Sequence, residues 1–192
     1  MRLFTAIELP PDILLRLERL VAALRPEALI KWSPLDNLHI TTKFIGEWPN
    51  DRLPELESAL LQMESRVPFE VEVCDLGWFP DERSPRVLWA GIKSGEALSV
   101  LARDTEERLV SLGVQRESRA FSPHLTLARI KRPVPLRGLR QKVERLRPAL
   151  IGKFEVSRFV LFRSDPGTNA SVYRHLREYK FESALAATSS PK

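Results

Sequence analysis

Cysteine and histidine are scarce in this sequence, which has one cysteine, Cys74, and three histidines among 192 residues. A single cysteine excludes an intrachain disulfide framework and a cysteine-based metal site. Long apolar runs are also missing, so no segment is expected to span a membrane. The apolar N-terminal stretch is too short for a signal peptide, because Pro10 and Pro11 interrupt it. We therefore expect a soluble, cytoplasmic protein.

Positive charge is in excess, with a net charge of +5 and a pI of about 9.7. This balance favours acidic partners such as nucleic acid. Lysine and arginine are dense from Arg129 to Lys153, where the run includes Lys131, Arg132, Arg137, Arg140, Lys142, Arg145 and Arg147. Such a run is typical of a solvated helix face, and it is also compatible with a track for an RNA backbone.

The most informative motif is His-x-Thr, which occurs at His39–Thr41 and again at His124–Thr126. Each copy lies among β-branched and apolar residues, a composition typical of a strand. Alternate strand residues share a face, so each histidine and its threonine point the same way. One copy alone would be ordinary strand composition. Two copies in similar surroundings favour a shared function.

The predicted elements repeat along the chain. Ala6 and Ala90 each start a strand–helix–loop–strand unit that ends at one of the two motif histidines. Besides the two motif strands, one of which is expected over 38–45, the patterns predict strands over 2–9, 69–73, 87–92, 153–163 and 172–181, a loop over 77–86, and helices over 11–24, 51–65, 95–112 and 136–147. This duplication favours an α+β fold whose two lobes are related by approximate twofold symmetry.

We expect one domain over residues 1–183 and a disordered tail over 184–192. The domain would consist of two intertwined lobes, which begin near residues 2 and 86. Symmetry would bring the two motif strands face to face across a central groove.

Two imidazoles beside two hydroxyls suit a reaction that removes one proton and delivers another at an anionic substrate. A phosphodiester fits, because its in-line transfer needs the base and the acid on opposite sides of phosphorus. The sequence offers no evident metal cage. Zinc held by all three histidines is the alternative, but it leaves the paired threonines unexplained. His175 has no threonine partner and is expected to be a surface or packing residue.

Two cations near the motifs are candidate substrate ligands. Lys43 is four places after His39, so strand alternation puts both on one face. Arg129 is five places after His124, which puts it on the opposite face unless the strand ends or bulges. A solvated strand-end lysine is the alternative for Lys43.

These residues resemble the 2H phosphoesterases, and among them the LigT-like RNA 2′,3′-cyclic phosphodiesterases. The similar stretches are 2–10, 37–41, 77–80, 86–91 and 121–129, and the resemblance extends to about Phe181. It implies a bilobal α+β fold with both motifs in a central groove. It also implies metal-independent opening of a 2′,3′-cyclic phosphate at an RNA 3′ end, which leaves a 2′-phosphate and needs no cofactor.

The resemblance further implies residue roles. His39 would donate a proton to the departing 3′ oxygen, His124 would activate water, and Thr41 and Thr126 would bind phosphate oxygens. The residues alone do not decide which histidine plays which role. A 2′-5′ RNA ligase in the same groove, or a catalytically idle RNA- or nucleotide-binding module, are the alternatives. A monomer is expected.

Overall fold

The computed structural model describes residues 1–63, 66–168 and 170–182. The strands within these ranges are β1 (Arg2–Glu8), β2 (Lys31–Trp32), β3 (His39–Glu47), β4 (Phe69–Phe79), β5 (Val87–Lys93), β6 (His124–Arg129), β7 (Leu150–Val156), β8 (Arg158–Asp165) and β9 (Val172–Lys180). The α-helices are α1 (Pro11–Leu24), α2 (Leu53–Leu61), α3 (Ala97–Val110) and α4 (Arg137–Arg145).

The strands form two antiparallel sheets. Sheet A has the order β3-β1-β8-β9, and sheet B has the order β2-β6-β5-β4-β7. Each His-x-Thr strand lies beside the first strand of its own half, β3 beside β1 and β6 beside β5. The halves are intertwined, because β2 and β4 from the first half belong to sheet B, while β8 and β9 complete sheet A.

The helices cross between the halves in the same way. Helix α1 begins at Pro11, whose fixed φ and missing N–H suit a first helical position. Its apolar stripe, which includes Ile13 and Leu17, is buried, and the helix packs on β7 of sheet B. Helix α3 packs on β3 of sheet A and on α2. Gly113 follows α3 with φ +95°, a conformation that favours glycine and ends the helix. The helices and the sheet faces against them enclose one large core.

Strand β3 contains a β-bulge. Thr5 and Ala6 of β1 lie opposite Lys43 and Thr41, so Thr42 is the extra residue. A bulge interrupts the alternation of faces, and both Thr42 and Lys43 are buried. The Thr42 hydroxyl lies 2.7 Å from the Thr5 hydroxyl, which satisfies both buried groups.

Strand β6 contains an equivalent bulge. Leu88 and Trp89 of β5 lie opposite Ala128 and Thr126, so Leu127 is the extra residue. Leu127 and Ala128 are both buried, as are the corresponding residues of β3. In both strands, therefore, the alternation of faces shifts at the same position, three residues after the histidine.

The architecture confirms the predicted α+β fold with two pseudo-symmetric lobes, and α1 has the predicted bounds of 11–24. Two local predictions were wrong, and one strand was missed. The loop expected from residue 77 begins later, because β4 continues through Phe79 beside β5. The strand expected over 153–163 is two strands, β7 and β8, which pair in different sheets. Strand β2 was not predicted, because its pairing with β6 is non-local.

Within the described ranges, every helix is too short or too polar to cross a bilayer. The tail predicted over 184–192 lies outside the described residues.

Candidate active site

A groove of about 590 Å³ lies between the two sheets. Both His-x-Thr motifs line it, with His39 and Thr41 on β3 and His124 and Thr126 on β6. The two strands lie against each other where the lobes meet. The groove therefore brings two imidazoles and two hydroxyls to one shared volume.

The two histidines are held by the same local hydrogen bond. Nδ1 of His39 lies 2.8 Å from the carbonyl oxygen of Asn37, and Nδ1 of His124 lies 2.8 Å from the carbonyl oxygen of Ser122. A carbonyl oxygen can only accept, so each Nδ1 carries a proton and donates it. In each ring Nε2 is then the nitrogen left for a substrate. A neutral ring offers a lone pair there and a charged ring offers a proton.

The two rings differ in their surroundings. The His39 ring packs against Phe4, with ring centroids 4.8 Å apart, and meets Tyr173 edge-on at 5.1 Å. Phe4 belongs to a small buried cluster on sheet A, to which Tyr173 adds a partly buried ring. The His124 ring meets Phe79 edge-on at 4.9 Å. His39 is therefore the more enclosed of the two imidazoles.

Burial lowers the pKa of His39 from 6.5 to about 4. Positive charges on His124 and Arg129 act in the same direction, and the hydrogen bond to Asn37 opposes them. Burial also lowers the pKa of His124, and Arg129 again contributes. Both imidazoles are therefore neutral near pH 7 when the groove holds no anion. An anion between them would favour the charged forms and raise both pKa values.

Lys43 does not line the groove, and the prediction that it shares the face of His39 is wrong. The bulge at Thr42 turns Lys43 to the opposite face of sheet A, toward α3. There its Nζ donates to Glu106 at 2.8 Å and to the carbonyl oxygen of Gln115 at 2.9 Å. Its side chain is only 1% exposed. Lys43 is thus the buried member of a partly buried ion pair rather than a ligand for a substrate.

Arg129 does line the groove. Strict alternation would have turned it away from His124, but the bulge at Leu127 restores it to the groove face. In sheet A the residue at the equivalent position, five places after the histidine, is Phe44, which also lines the groove. The two lobes therefore present an arginine on one side and a phenylalanine on the other.

Most of the basic run between Arg129 and Lys153 lies away from the groove. Lys142 pairs with Glu27 at 3.3 Å, and Lys153 pairs with Glu70 at 3.1 Å. These contacts fit the interpretation as a solvated surface, and they do not favour an RNA track along α4. Lys131, at the start of the run, is different, because it lines the groove beside Arg129.

Sequence reasoning missed several groove residues. Tyr173 and Phe4 pack on His39 from β9 and β1, and Lys31 reaches the groove from β2. Their placement depends on pairing between distant strands, which leaves no local signal. His175 is exposed on β9 and does not line the groove. Among the residues that the structure describes, no group of three or more His, Cys, Asp or Glu side chains is placed to hold a metal ion.

The chain matches a known family over most of its length. The sequence profile described as LigT like Phosphoesterase matches residues 7–89 and then residues 92–173. The RNA 2′,3′-cyclic phosphodiesterase of Methanocaldococcus jannaschii is 29% identical over 93% of this chain and 100% of its own length. The protein of that name from Archaeoglobus fulgidus is 32% identical over 94% and 100%, and that from Thermus thermophilus is 33% identical over 93% and 89%.

Solved structures resemble the fold as a whole. A crystal structure of a Thermus thermophilus protein superposes with a TM-score of 0.82 at 30% identity, covering 96% of this chain and 100% of its own. The structure of E. coli LigT in complex with 3′-AMP gives a TM-score of 0.76 at 25% identity, covering 94% and 97%.

Proposed function

This chain belongs to the LigT-like phosphoesterase family, and from that premise we propose that it hydrolyses 2′,3′-cyclic phosphate ends of RNA. The product would be a 2′-phosphomonoester with a free 3′ hydroxyl. The observation that carries the proposal is the pair of imidazoles, His39 and His124, which line one groove with Nδ1 of each engaged by a backbone carbonyl. This arrangement leaves two Nε2 atoms for one phosphate.

His124 is proposed as the general base. Its Nε2 lone pair would take a proton from water while the water oxygen forms a bond to phosphorus. His124 is the less enclosed imidazole, with one aromatic neighbour at 4.9 Å, and water can approach it more readily. A positioned general base typically contributes about 10²- to 10⁴-fold to a rate.

His39 is proposed as the general acid. Its Nε2 proton would pass to the 3′ oxygen as the bond from that oxygen to phosphorus breaks. In the free protein the charged form of His39 is a stronger acid than an exposed imidazolium, because burial lowers its pKa to about 4. The substrate anion would stabilise the charged ring until transfer. One proton enters His124 and one leaves His39, so exchange with solvent restores the starting state.

Thr41 and Thr126 are proposed as hydrogen-bond donors to the non-bridging phosphate oxygens. Each lies two residues after its histidine and lines the same groove. A hydroxyl donor beside each imidazole would hold the phosphate while the pentavalent transition state forms. Arg129 would balance the negative charge on these oxygens, since it lines the groove and acts on both imidazoles. All of these residues belong to one chain, so we propose that the monomer is active.

The test uses a short RNA with a 2′,3′-cyclic phosphate end, incubated with the protein in EDTA. We expect conversion to the 2′-phosphate, and a loss of at least about 10²-fold in kcat for His39→Ala and for His124→Ala. His175→Ala is the matched control, because His175 is exposed outside the groove, and it should keep full activity. An unchanged cyclic end, or near-normal turnover by either groove variant, would contradict the proposal.

The same experiment separates the alternative functions. Adding an RNA with a 5′ hydroxyl end allows a 2′-5′ ligation product to form if an RNA oxygen replaces water. A catalytically idle binding module predicts tight RNA binding that survives both histidine substitutions, with no turnover. Hydrolysis as the main outcome with both ends present supports the phosphodiesterase.

A further inference from the structure

Three cationic side chains from β2, from β6 and from the residues just after β6 line the groove. Lys31 of β2 lies directly opposite Arg129 of β6 in the antiparallel ladder. Directly opposite residues share a face, with their Cβ atoms about 5 Å apart. Lys131 follows two residues after Arg129 and lines the same groove. We call Lys31, Arg129 and Lys131 the cation cluster.

The cation cluster has no acidic partner among the residues that the structure describes. None of the ion pairs between described residues includes Lys31, Arg129 or Lys131. The described residues that line the groove include no aspartate or glutamate. Other lysines of the same half, such as Lys142 and Lys153, have carboxylate partners within 3.4 Å. Like charges directly opposite in a ladder destabilise it, so this site is poised to bind an anion.

The reacting phosphate does not account for the whole cation cluster. A cyclic phosphate carries one negative charge, and under the proposed function it lies between the imidazoles, within reach of Arg129. Lys31 lies on the edge strand of sheet B, beyond β6. An RNA chain places a second phosphodiester just before its terminal nucleoside, and that group carries the next negative charge.

We propose that the cation cluster binds the phosphodiester that precedes the terminal nucleoside of the substrate. This proposal rests on the proposed function. The substrate class is then an oligonucleotide with a cyclic end rather than a mononucleoside 2′,3′-cyclic phosphate. Lys31 and Lys131 are substrate-binding residues that set this preference, whereas Arg129 also acts at the reacting phosphate.

The test compares three substrates with cyclic ends: a mononucleotide, a dinucleotide, and the same dinucleotide with an uncharged internal methylphosphonate linkage. The last two differ only in the internal charge. We expect kcat/KM for the charged dinucleotide to exceed that for the methylphosphonate by about tenfold or more, as for a charge-assisted contact. The double variant Lys31→Gln/Lys131→Gln should remove this advantage, because kcat/KM should fall much more for the charged dinucleotide than for the mononucleotide or the methylphosphonate.

Lys180→Gln is the matched control, because Lys180 is an exposed lysine at the end of β9, outside the groove. It should preserve the preference. Equal kcat/KM for the charged and uncharged dinucleotides, or an equal loss on all three substrates in the double variant, overturns the proposal. If none of the three substrates is hydrolysed, the proposed function itself has failed, so the two failures are distinguishable.

Salt dependence gives a second readout. For single-stranded nucleic acid, each neutralised phosphate adds about 0.7 to the slope of log affinity against log salt concentration. The value of kcat/KM for the charged dinucleotide should therefore fall more steeply with salt concentration than the value for the methylphosphonate. The double variant should give equal slopes. Equal slopes in the unsubstituted protein contradict the proposal.

Discussion

Thr42 and Leu127 are the extra residues of two equivalent β-bulges, each three positions after a groove histidine. Because of these bulges, the fifth residue after each histidine returns to the groove and the fourth is buried on the other face. The fifth residue is Phe44 in sheet A and Arg129 in sheet B. The same bulge in each lobe therefore presents an aromatic ring to the groove in sheet A and a positive charge in sheet B.

Lys43→Met should reduce stability without reducing turnover. The substitution removes a lysine that is 1% exposed and bonded to Glu106 and to the Gln115 carbonyl. Removing one partner of a buried ion pair costs up to about 3–5 kcal/mol. The cost here should lie below that range, because Glu106 keeps the Glu117 N–H at 2.7 Å and is partly exposed. Urea denaturation and kcat, measured where the variant is folded, check this.

Glu106→Gln is the companion to that variant. It replaces the carboxylate beside the buried Lys43 ammonium with a neutral amide, so the nearest negative charge becomes Glu117, at 3.8 Å. Its loss of stability should therefore exceed that of Lys43→Met. A fall of about 10²-fold in kcat is the size expected for the loss of a catalytic group. If the folded Lys43→Met protein showed such a fall, Lys43 would have a role in the reaction after all.

The hydroxyl pair of Thr5 and Thr42 should behave as a unit. Thr42→Val leaves the Thr5 hydroxyl buried and unpaired, which costs about 1–3 kcal/mol. Replacing both threonines by valine removes both polar groups while keeping their shape. The double variant should therefore be more stable than the sum of the two single losses predicts. Additive losses in urea denaturation would show that the hydroxyls do not interact.

The local parts of this fold were predictable from the sequence, and the paired parts were not. The alternation of His39 with Thr41, and of His124 with Thr126, is a property of each strand alone. The same is true of the apolar stripe of α1, which has its predicted bounds. A bulge, in contrast, exists only relative to a partner strand. Lys43 was therefore assigned to the wrong face.

The positive charge of the groove also depends on strand pairing and not on a local sequence pattern. Lys31 faces Arg129 only because β2, from the first half of the chain, pairs with β6 from the second. No periodicity in the sequence reports a two-residue strand of this kind. The density of lysine and arginine after Arg129 is compatible with an RNA track along α4, but Lys142 of this helix has a carboxylate partner. Charge composition predicts an acidic partner, whereas the pairing of β2 with β6 brings Lys31 and Arg129 together.

The pH dependence of kcat/KM should be a bell with both limbs below pH 6.5. One imidazole must be charged and the other neutral, and burial lowers the pKa of both His39 and His124 from that value in the free protein. The two limbs report the pKa values of the coupled imidazole pair in the free protein. The bell for kcat should lie at higher pH, because the bound phosphate raises both pKa values.

Steady-state rates across the pH range, with a short cyclic-ended RNA, check this prediction. NMR titration of the imidazole protons provides an independent measure in the absence of substrate. Inorganic phosphate should raise both titration midpoints. A kcat/KM profile that is flat, or whose histidine limbs lie above pH 7, would show that the free imidazoles do not control the reaction.

Gly77→Ala should disturb the groove through Trp89. Gly77 lies opposite Trp89 in the ladder, and a Cβ at residue 77 would overlap the indole ring. Trp89 packs on Phe79 at 5.3 Å, and the ring of Phe79 meets His124. We expect a loss of roughly 1–3 kcal/mol from overpacking and a lower kcat. Trp89→Phe in the same chain removes the overlapping atoms and should recover both, as measured by urea denaturation and turnover.

Arg129→Met should raise the pKa of both His39 and His124. The guanidinium is one of the positive charges that lower each pKa, so its removal makes each imidazolium easier to form. NMR titration of the protein without substrate measures this independently of activity, and the kcat/KM bell should move to higher pH. Arg2→Met is the matched control, because Arg2 lines the groove but is not among the groups that shift either histidine. Equal titration midpoints in the Arg129→Met and Arg2→Met variants would show that Arg129 does not act on the charge of the two imidazoles. That result would also contradict its proposed role at the reacting phosphate, which lies between them.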